Sequence, residues 1–294
     1  MSAISLPEPA LAQQVEEHAQ PRAARRWYRQ PALAAGLILL GIIVIAAAAA
    51  PLITSYNPIQ QNLNATLLGP SAHHWLGTDQ TGRDTFARML YGLRTDLRIA
   101  FIAVLFPFCL GSIIGSIAGY FGGWVDTVLM RLVDVVVAFP FYVLLIALVF
   151  VLGPGERSIY IAITLVGWVS YARIIRGEIL VAKRQDYVVA ARSGGLSPIR
   201  IIGRHLLPNV ITQAIICAMS DIVQDILAIV TLGYLGLGVP PPTPDLGSMI
   251  NDGQVFLTTH WQLTTFPGLA VVVVGLSLSL IGDGLADLIR PGHS

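Results

Sequence analysis

Charge is scarce in this chain. Only 12% of its 294 residues are Asp, Glu, Lys or Arg, where a soluble domain carries about 25%. With 54% hydrophobic residues and a mean hydropathy of +0.69, that shortage excludes an ordinary soluble globule and indicates an integral membrane protein. Lysine is scarcer still: Lys183, in A-K-R-Q, stands alone. No glycine-rich loop ending G-K-[ST] can therefore form, and the chain lacks a Walker A phosphate site of its own. If ATP is used, another subunit binds it. The two cysteines, Cys109 and Cys217, sit inside apolar runs, where they act as small hydrophobes rather than as a disulfide framework or metal site. The sequence also lacks a G-x-S-x-G elbow and an H-E-x-x-H helix, which removes two hydrolase classes.

What is present is a series of apolar runs. Residues 1 to about 31 read as a solvated tail closing in Arg22, Arg25, Arg26 and Arg29. Ala32–Ile53 carries no charge and is long enough for one crossing. Its Ala46–Ala50 stretch resembles a signal-peptidase site, but the apolar run exceeds a signal-peptide core, and an uncleaved span is expected. The polar connector that follows holds Asp79, Arg83 and Asp84, a candidate ion-pair cluster, and His73-His74, read as a solvated pair. Ile99–Phe121 forms the second span. Its Gly111, Gly115 and Gly119 repeat every fourth residue, a small-residue stripe that lets a neighbouring helix approach closely. A third span is expected over about 126–152, with Arg131 paired to Asp134 and a kink at Pro140. Ser158–Ala172 is a short fourth run flanked by Arg157 and Arg173. Pro208 to about Val239 makes the fifth span, stopped by P-P-P-T-P, and Leu263–Ile281 the sixth. Between them, 245–262 reads as a short surface helix with Trp261 at the interface. Asp283 and Asp287 cap or tether the end of the last span.

Six crossings place both termini on one side. With the tail inside, thirteen basic residues, among them Arg131, Arg173, Arg176, Lys183, Arg184, Arg192, Arg200, Arg204 and Arg290, face Arg83, Arg88, Arg94, Arg98 and Arg157 outside. The excess makes the loop after the fourth run cytoplasmic. This stretch, Asp186–Asn209, is a basic interruption between apolar segments. It reads as two short helices, one from Asp186 to Arg192 and one restarted by Ser197-Pro198, separated by Gly194-Gly195. Ile199, Ile202 and Leu206 are expected to share a face. On composition alone, such a segment either lies on the anionic inner leaflet or docks a partner.

The residues favour docking. Val189-Ala190-Ala191, Gly195, His205, Leu207 and Pro208 resemble the loop by which ABC-transporter permeases engage their ATPases, written E-A-A, three residues, G, nine residues, I-x-L-P. Val189 replaces the acidic residue and His205 the isoleucine. W-L-G-T-D-x-x-G-R-D (75–84), G-Y-F-G-G-W-V-D (119–126), M-R-L-V-D (130–134), Y-L-G-L-G-V-P-P-P-T-P (234–244) and G-D-G-L-x-D (282–287) are similar to the second permease subunit of dipeptide, oligopeptide and nickel importers. That resemblance implies an all-α polytopic fold of six transmembrane helices, the type I ABC importer permease fold. Residues 32–95 would hold the first helix and external connector, 96–288 the permease core with a coupling loop at 177–207, and 289–294 a tail. It implies a sister permease as heterodimer partner, two ATP-binding subunits holding ATP and magnesium, and an extracytoplasmic solute-binding protein. No cofactor or metal in this chain, and no nucleic-acid partner, is expected. The cargo is a peptide or other small solute, with nickel and glutathione as alternatives, carried across the cytoplasmic membrane by alternating access.

Ionisable residues at membrane depth point to function. Asp221 and Asp225 lie one turn apart on the fifth span. Two readings stay open: contact with a cationic group of a solute on the translocation path, or pairing with a basic residue of a partner helix. A proton-coupled secondary transporter using this pair is the rival class. A membrane aspartyl protease using Asp225 and Asp283 is a more distant one.

Overall fold

The computed structural model describes residues 31–289, with side chains described as far as Leu285. The N-terminal tail, Arg290 and the C-terminal tail, and the side chain of Asp287 lie outside the described residues. Within them the chain is helical and no named strand occurs; one isolated bridge joins Thr78 and Asp84. The long elements are α1 (Pro31–Ala48), α2 (Thr85–Phe121), α3 (Gly123–Val137), α4 (Phe141–Leu152), α5 (Glu156–Ala182), α6 (Asp186–Ser193), α7 (Pro198–Ile201), α8 (Leu207–Tyr234), α9 (Leu246–Gln254) and α10 (Gln262–Ile289). A further turn, Ala50–Ile53, continues α1. Five helical stretches are long and apolar enough to cross a membrane, and a sixth is counted if the bent α3–α4 pair is one span.

The glycine stripe organises the core. A Cβ on Gly111 would collide with the Trp168 carbonyl and sit 2.6 Å from the Tyr171 Cβ. One on Gly115 would come 2.5 Å from the Ala172 carbonyl oxygen, and one on Gly119 would come 3.0 Å from the Arg176 carbonyl oxygen. The absent side chains let α2 and α5 pack backbone to backbone, where dispersion is strongest. These two helices run parallel. Arg98 of α2 pairs with Glu156 at the start of α5, and at the far end Lys183 Nζ donates to the Gly119 carbonyl at 2.7 Å. Helix α1 is antiparallel to α10, with Gly36 against Ser277 and Gly284 against Leu33.

Several expectations change. Helix α2 begins at Thr85, well before Ile99, because the arginines that make its first turns look like a loop are absorbed by the fold: Arg88 is buried. The fourth run is no short span; α5 continues to Ala182. Pro140 does more than kink the third span. Helices α3 and α4 meet at 86° across a break, since Pro140 lacks an N–H and sits in extended backbone at the head of α4. Asp134 pairs with Arg173 of α5 at 3.3 Å rather than with Arg131. Helix α8 ends at Tyr234, five residues before Val239. There Gly236 takes φ +76° and the Leu237 amide returns to the Leu232 carbonyl at 2.8 Å, a Schellman stop that precedes the prolines.

Candidate functional site

Three places collect polar chemistry beyond ordinary packing. The first is the loop joining α5 to α8. In α6, Asp186 occupies the first turn, where a carboxylate complements the helix dipole. Val188 and Ala191 are buried beneath it, while Val189 (52% exposed) and Ala190 face out. The Gly195 amide closes on the Arg192 carbonyl at 3.0 Å, and the Leu196 amide reaches the Ala191 carbonyl at 3.2 Å. This turn needs φ +76° at Gly195, a backbone region that glycine enters freely, and no atom lies within 4 Å of where its Cβ would be. Pro198 opens α7 at its first position. Ser197 makes no side-chain cap bond, so only the proline half of the expected restart is used.

The face of the second helix is not the one expected. Ile199 is 83% exposed, and Ile201 is buried alongside Leu206. The reason is a π-turn over Ile202–Leu206, whose wider winding shifts the register of everything before it. Arg184, Arg192, Arg200 and Arg204 are exposed, and none forms a salt bridge among the described residues. His205 and Leu207 are half-buried and Pro208 is exposed. The loop is fastened to the end of α2 in two ways that its sequence did not advertise. Lys183 holds the Gly119 carbonyl, and the Arg192 guanidinium lies 5.4 Å over the Tyr120 ring, a cation–π contact. Its other basic groups and its apolar ridge of Val189 and Ile199 are left outward.

The second place is a cavity of about 330 Å³. It opens where the third span breaks. Val136, Val137 and Phe139 of the break and Phe141 of α4 form one wall, Ile163 to Tyr171 of α5 another, and Asp221, Gln224 and Asp225 of α8 the third. Pro107 of α2 closes it against Gly167. Asp221 and Asp225 are thus brought together, as their spacing requires. Cys217 Sγ contacts Asp221 Oδ2 at 3.9 Å. Asp225 is 5% exposed, and neither carboxylate has a salt-bridge partner among the described residues. Tyr171 Oη is buried without a hydrogen bond. Nothing in the sequence singled out Tyr171 or Gln224; they become notable only because α5 and α8 face each other. Asp283 is exposed on α10 and does not line this cavity.

The opposite end of the molecule carries a dense polar cap. Asp79 Oδ2 pairs with Arg83 Nε at 2.6 Å and Arg88 Nε at 3.5 Å. Its Oδ1 accepts from the Thr81 hydroxyl and amide and from the Arg83 amide. Burial alone would raise this carboxyl, but the amide of Arg83, the hydroxyl of Thr81 and the Arg83 charge outweigh it and hold Asp79 below the usual range. Asp84 leaves the expected triad. It caps α2 through the Ala87 amide at 2.7 Å and takes His74 Nδ1 at 2.8 Å. His74 is thereby occupied, and no three His, Cys, Asp or Glu groups among the described residues are placed to hold a metal. Arg83 also reaches Asp252 of α9 at 3.8 Å, and Asp96 of α2 accepts from the Leu246 amide at 3.0 Å.

A parallel helix pair built on glycines, a broken span lining a cavity, and a two-helix basic loop between α5 and α8 are the features of a polytopic membrane subunit, and comparison with known proteins gives its class as ABC importer permease. The chain belongs to the family of binding-protein-dependent transport system inner membrane components, which matches residues 111–293. The N-terminal transmembrane domain of oligopeptide transport permease C matches residues 22–70. Among relatives, the dipeptide transport system permease protein DppC of Alkalihalophilus pseudofirmus is 38% identical over 256 residues, covering 87% of this chain and 84% of that one. The Bacillus subtilis protein of the same name is 37% identical, covering 91% and 84%. The glutathione transport system permease protein GsiD of Pectobacterium atrosepticum is 37% identical, covering 91% and 89%. A chain of the inward-facing MetNI methionine ABC transporter superposes with a TM-score of 0.53 at 17% identity, covering 69% of this chain and 97% of that one. At that identity, the likeness speaks for the fold.

Proposed function

We propose that this chain is the second permease of a heterodimeric, ATP-driven importer that carries di- or oligopeptides through the cytoplasmic membrane. Peptide permeases predominate among its relatives at 36–39% identity, which supports that cargo over glutathione or nickel. The observation that carries the coupling half of the reading is the loop at 183–208: outward basic and apolar groups on a scaffold bonded to the end of α2. An ATPase surface receives it as a groove receives a helix. The coupling contacts are Val189 and Ala190 of α6, with Ala191 packed beneath them, Gly195 at the turn, and His205, Leu207 and Pro208 where α8 begins. ATP and magnesium reside in the two ATPase subunits, since a chain whose single lysine is Lys183 has no Walker A loop. Both termini and this loop face the cytoplasm, and an external solute-binding protein delivers cargo to the polar cap. Closing of the ATPases moves the loop, and the spans reorient. Asp221 and Asp225 stand on the solute's path. Such a cycle requires the two orientations to bind nucleotide and solute with different affinity.

The test is purification of the tagged chain in mild detergent with identification of what comes with it, followed by dipeptide uptake in cells. A sister permease and ATPases should co-purify, and uptake should stop when ATP is depleted. Uptake that survives ATP depletion and collapses with the proton gradient would replace this reading with a proton-coupled carrier.

A further inference from the structure

The cavity beside the broken span has an imbalance of charge and of hydrogen bonding. Asp221 and Asp225 contribute two carboxylates from successive turns of α8, and no Lys or Arg lines the space with them. Tyr171, fully buried, brings a hydroxyl with no partner. The remaining walls are mostly aliphatic and aromatic, with Val104, Ile163, Val166, Phe139 and Phe141, and Ser170 and Gln224 add the other polar groups. Burying a carboxylate away from a counter-charge is costly, and a cation entering the cavity offsets that cost.

The kind of cation follows from the donor set. No histidine lines the cavity and only Cys217 touches Asp221; with no three-ligand cluster among the described residues, a transition metal is poorly served. An ammonium group offers three N–H donors on one small centre. That number matches two carboxylate oxygens a turn apart plus the Tyr171 hydroxyl oxygen. The volume of about 330 Å³ lies at the low end of small-molecule pockets, and its apolar walls suit short side chains.

We propose that this cavity receives the free α-ammonium group of a small peptide in transit, with Asp221 and Asp225 as charge partners and Tyr171 as the third acceptor. This rests on the peptide reading given above. Two carboxylates on one helix face confer selection for a free amino end without demanding one side chain, which fits a carrier of varied short peptides. The site holds its guest weakly, because a path must release what it admits.

The experiment has two arms, both on the complete complex of this permease with its sister and ATPases. In lipid nanodiscs without binding protein, saturation-transfer NMR with ethylammonium reads the site without assuming a peptide. The wild type should show transfer, and the double variant Asp221→Asn/Asp225→Asn should lose it at least fivefold. In proteoliposomes with binding protein and ATP, initial uptake of L-alanyl-L-alanine should fall at least tenfold in the double variant and two- to fivefold in Tyr171→Phe. Equal ethylammonium transfer in wild type and double variant overturns the proposal. So does a double variant that no longer co-purifies with its sister permease, because the carboxylates would then be answering a basic residue of that subunit. Absence of dipeptide uptake by the wild type would instead sink the peptide reading, leaving the ethylammonium arm to decide the site.

Discussion

The polar cap formed by 77–98 and α9 and the basic loop at 183–208 are both charged, and they treat charge in opposite ways. In the cap the central charges are paired within the fold: Asp79 alone holds Arg83, Arg88 and Thr81, although Arg88 Nη1, Asp96 Oδ1 and Asp245 Oδ2 are buried without a hydrogen bond. In the loop, Arg184, Arg200 and Arg204 point outward with no salt bridge among the described residues. A satisfied network is stiff and specifies one arrangement. An unsatisfied one is a surface awaiting its complement. The contrast separates a part that holds one end of the bundle in shape from a part whose charges face outward.

The comparison is broken most severely by Gly195→Pro. Proline fixes φ near −65° where the turn requires +76°, and it removes the amide that closes on Arg192. Uptake in intact cells should drop to background while the amount of chain in the membrane stays near wild type, read by immunoblot of the membrane fraction. Retained transport would refute the docking role of this loop. Next in size is Asp79→Ala, which leaves the buried Arg88 without a salt bridge and Arg83 with only its longer one to Asp252. A loss of about 3–5 kcal/mol follows from leaving such charges unpaired, read as a fall in melting temperature in detergent. The same variant should affect assembly with ATPases far less than it affects stability.

Acid sharpens the contrast with a sign change. Asp245 and Asp252 have raised pKa values, burial being the first cause of each. Their charged forms are penalised in the native cap, and stability should rise slightly as pH falls from neutral through those raised values. Asp79 is depressed below the ordinary aspartate value of 3.8, so its contribution is full above that pH and disappears as pH falls through the lower folded value. Thermal scans should therefore pass through a shallow maximum and then fall below pH 3.8, and Asp79→Ala should remove the falling limb. Smallest of all, Arg192→Ala deletes a contact of about 0.5–1 kcal/mol with Tyr120. Uptake should fall only two- to threefold, while amide exchange over 186–196 quickens relative to 85–98.

Much of the bundle could be read from residues alone, because its signals are local. Uncharged runs marked the spans, and the four-residue spacing of Gly111, Gly115 and Gly119 pointed to a close helix neighbour, whose identity as α5 came from the structure. What escaped depends on partners far along the chain. Asp134 chose Arg173 over the nearer Arg131, and Asp96 reaches an amide 150 residues away. The start of α2 was hidden because Arg88 looks like loop chemistry until Asp79 neutralises it. The buried face of the basic loop was misassigned by a periodicity argument that presumes uniform winding, which the π-turn at Ile202–Leu206 violates. The carboxylate pair at Asp221 and Asp225 was visible by spacing, whereas the hydroxyl opposite them required the tertiary structure.

One detail ties these observations together mechanically. The chain's single lysine grips carbonyls at the tip of a different helix, and the glycine seam beneath that grip leaves no slack between the two rods. A shove delivered at the tip travels up both as one oar, with the unbent segments as its shaft. The span beside that pair is bent by 86° at 138–140, and the chamber lies against the bend.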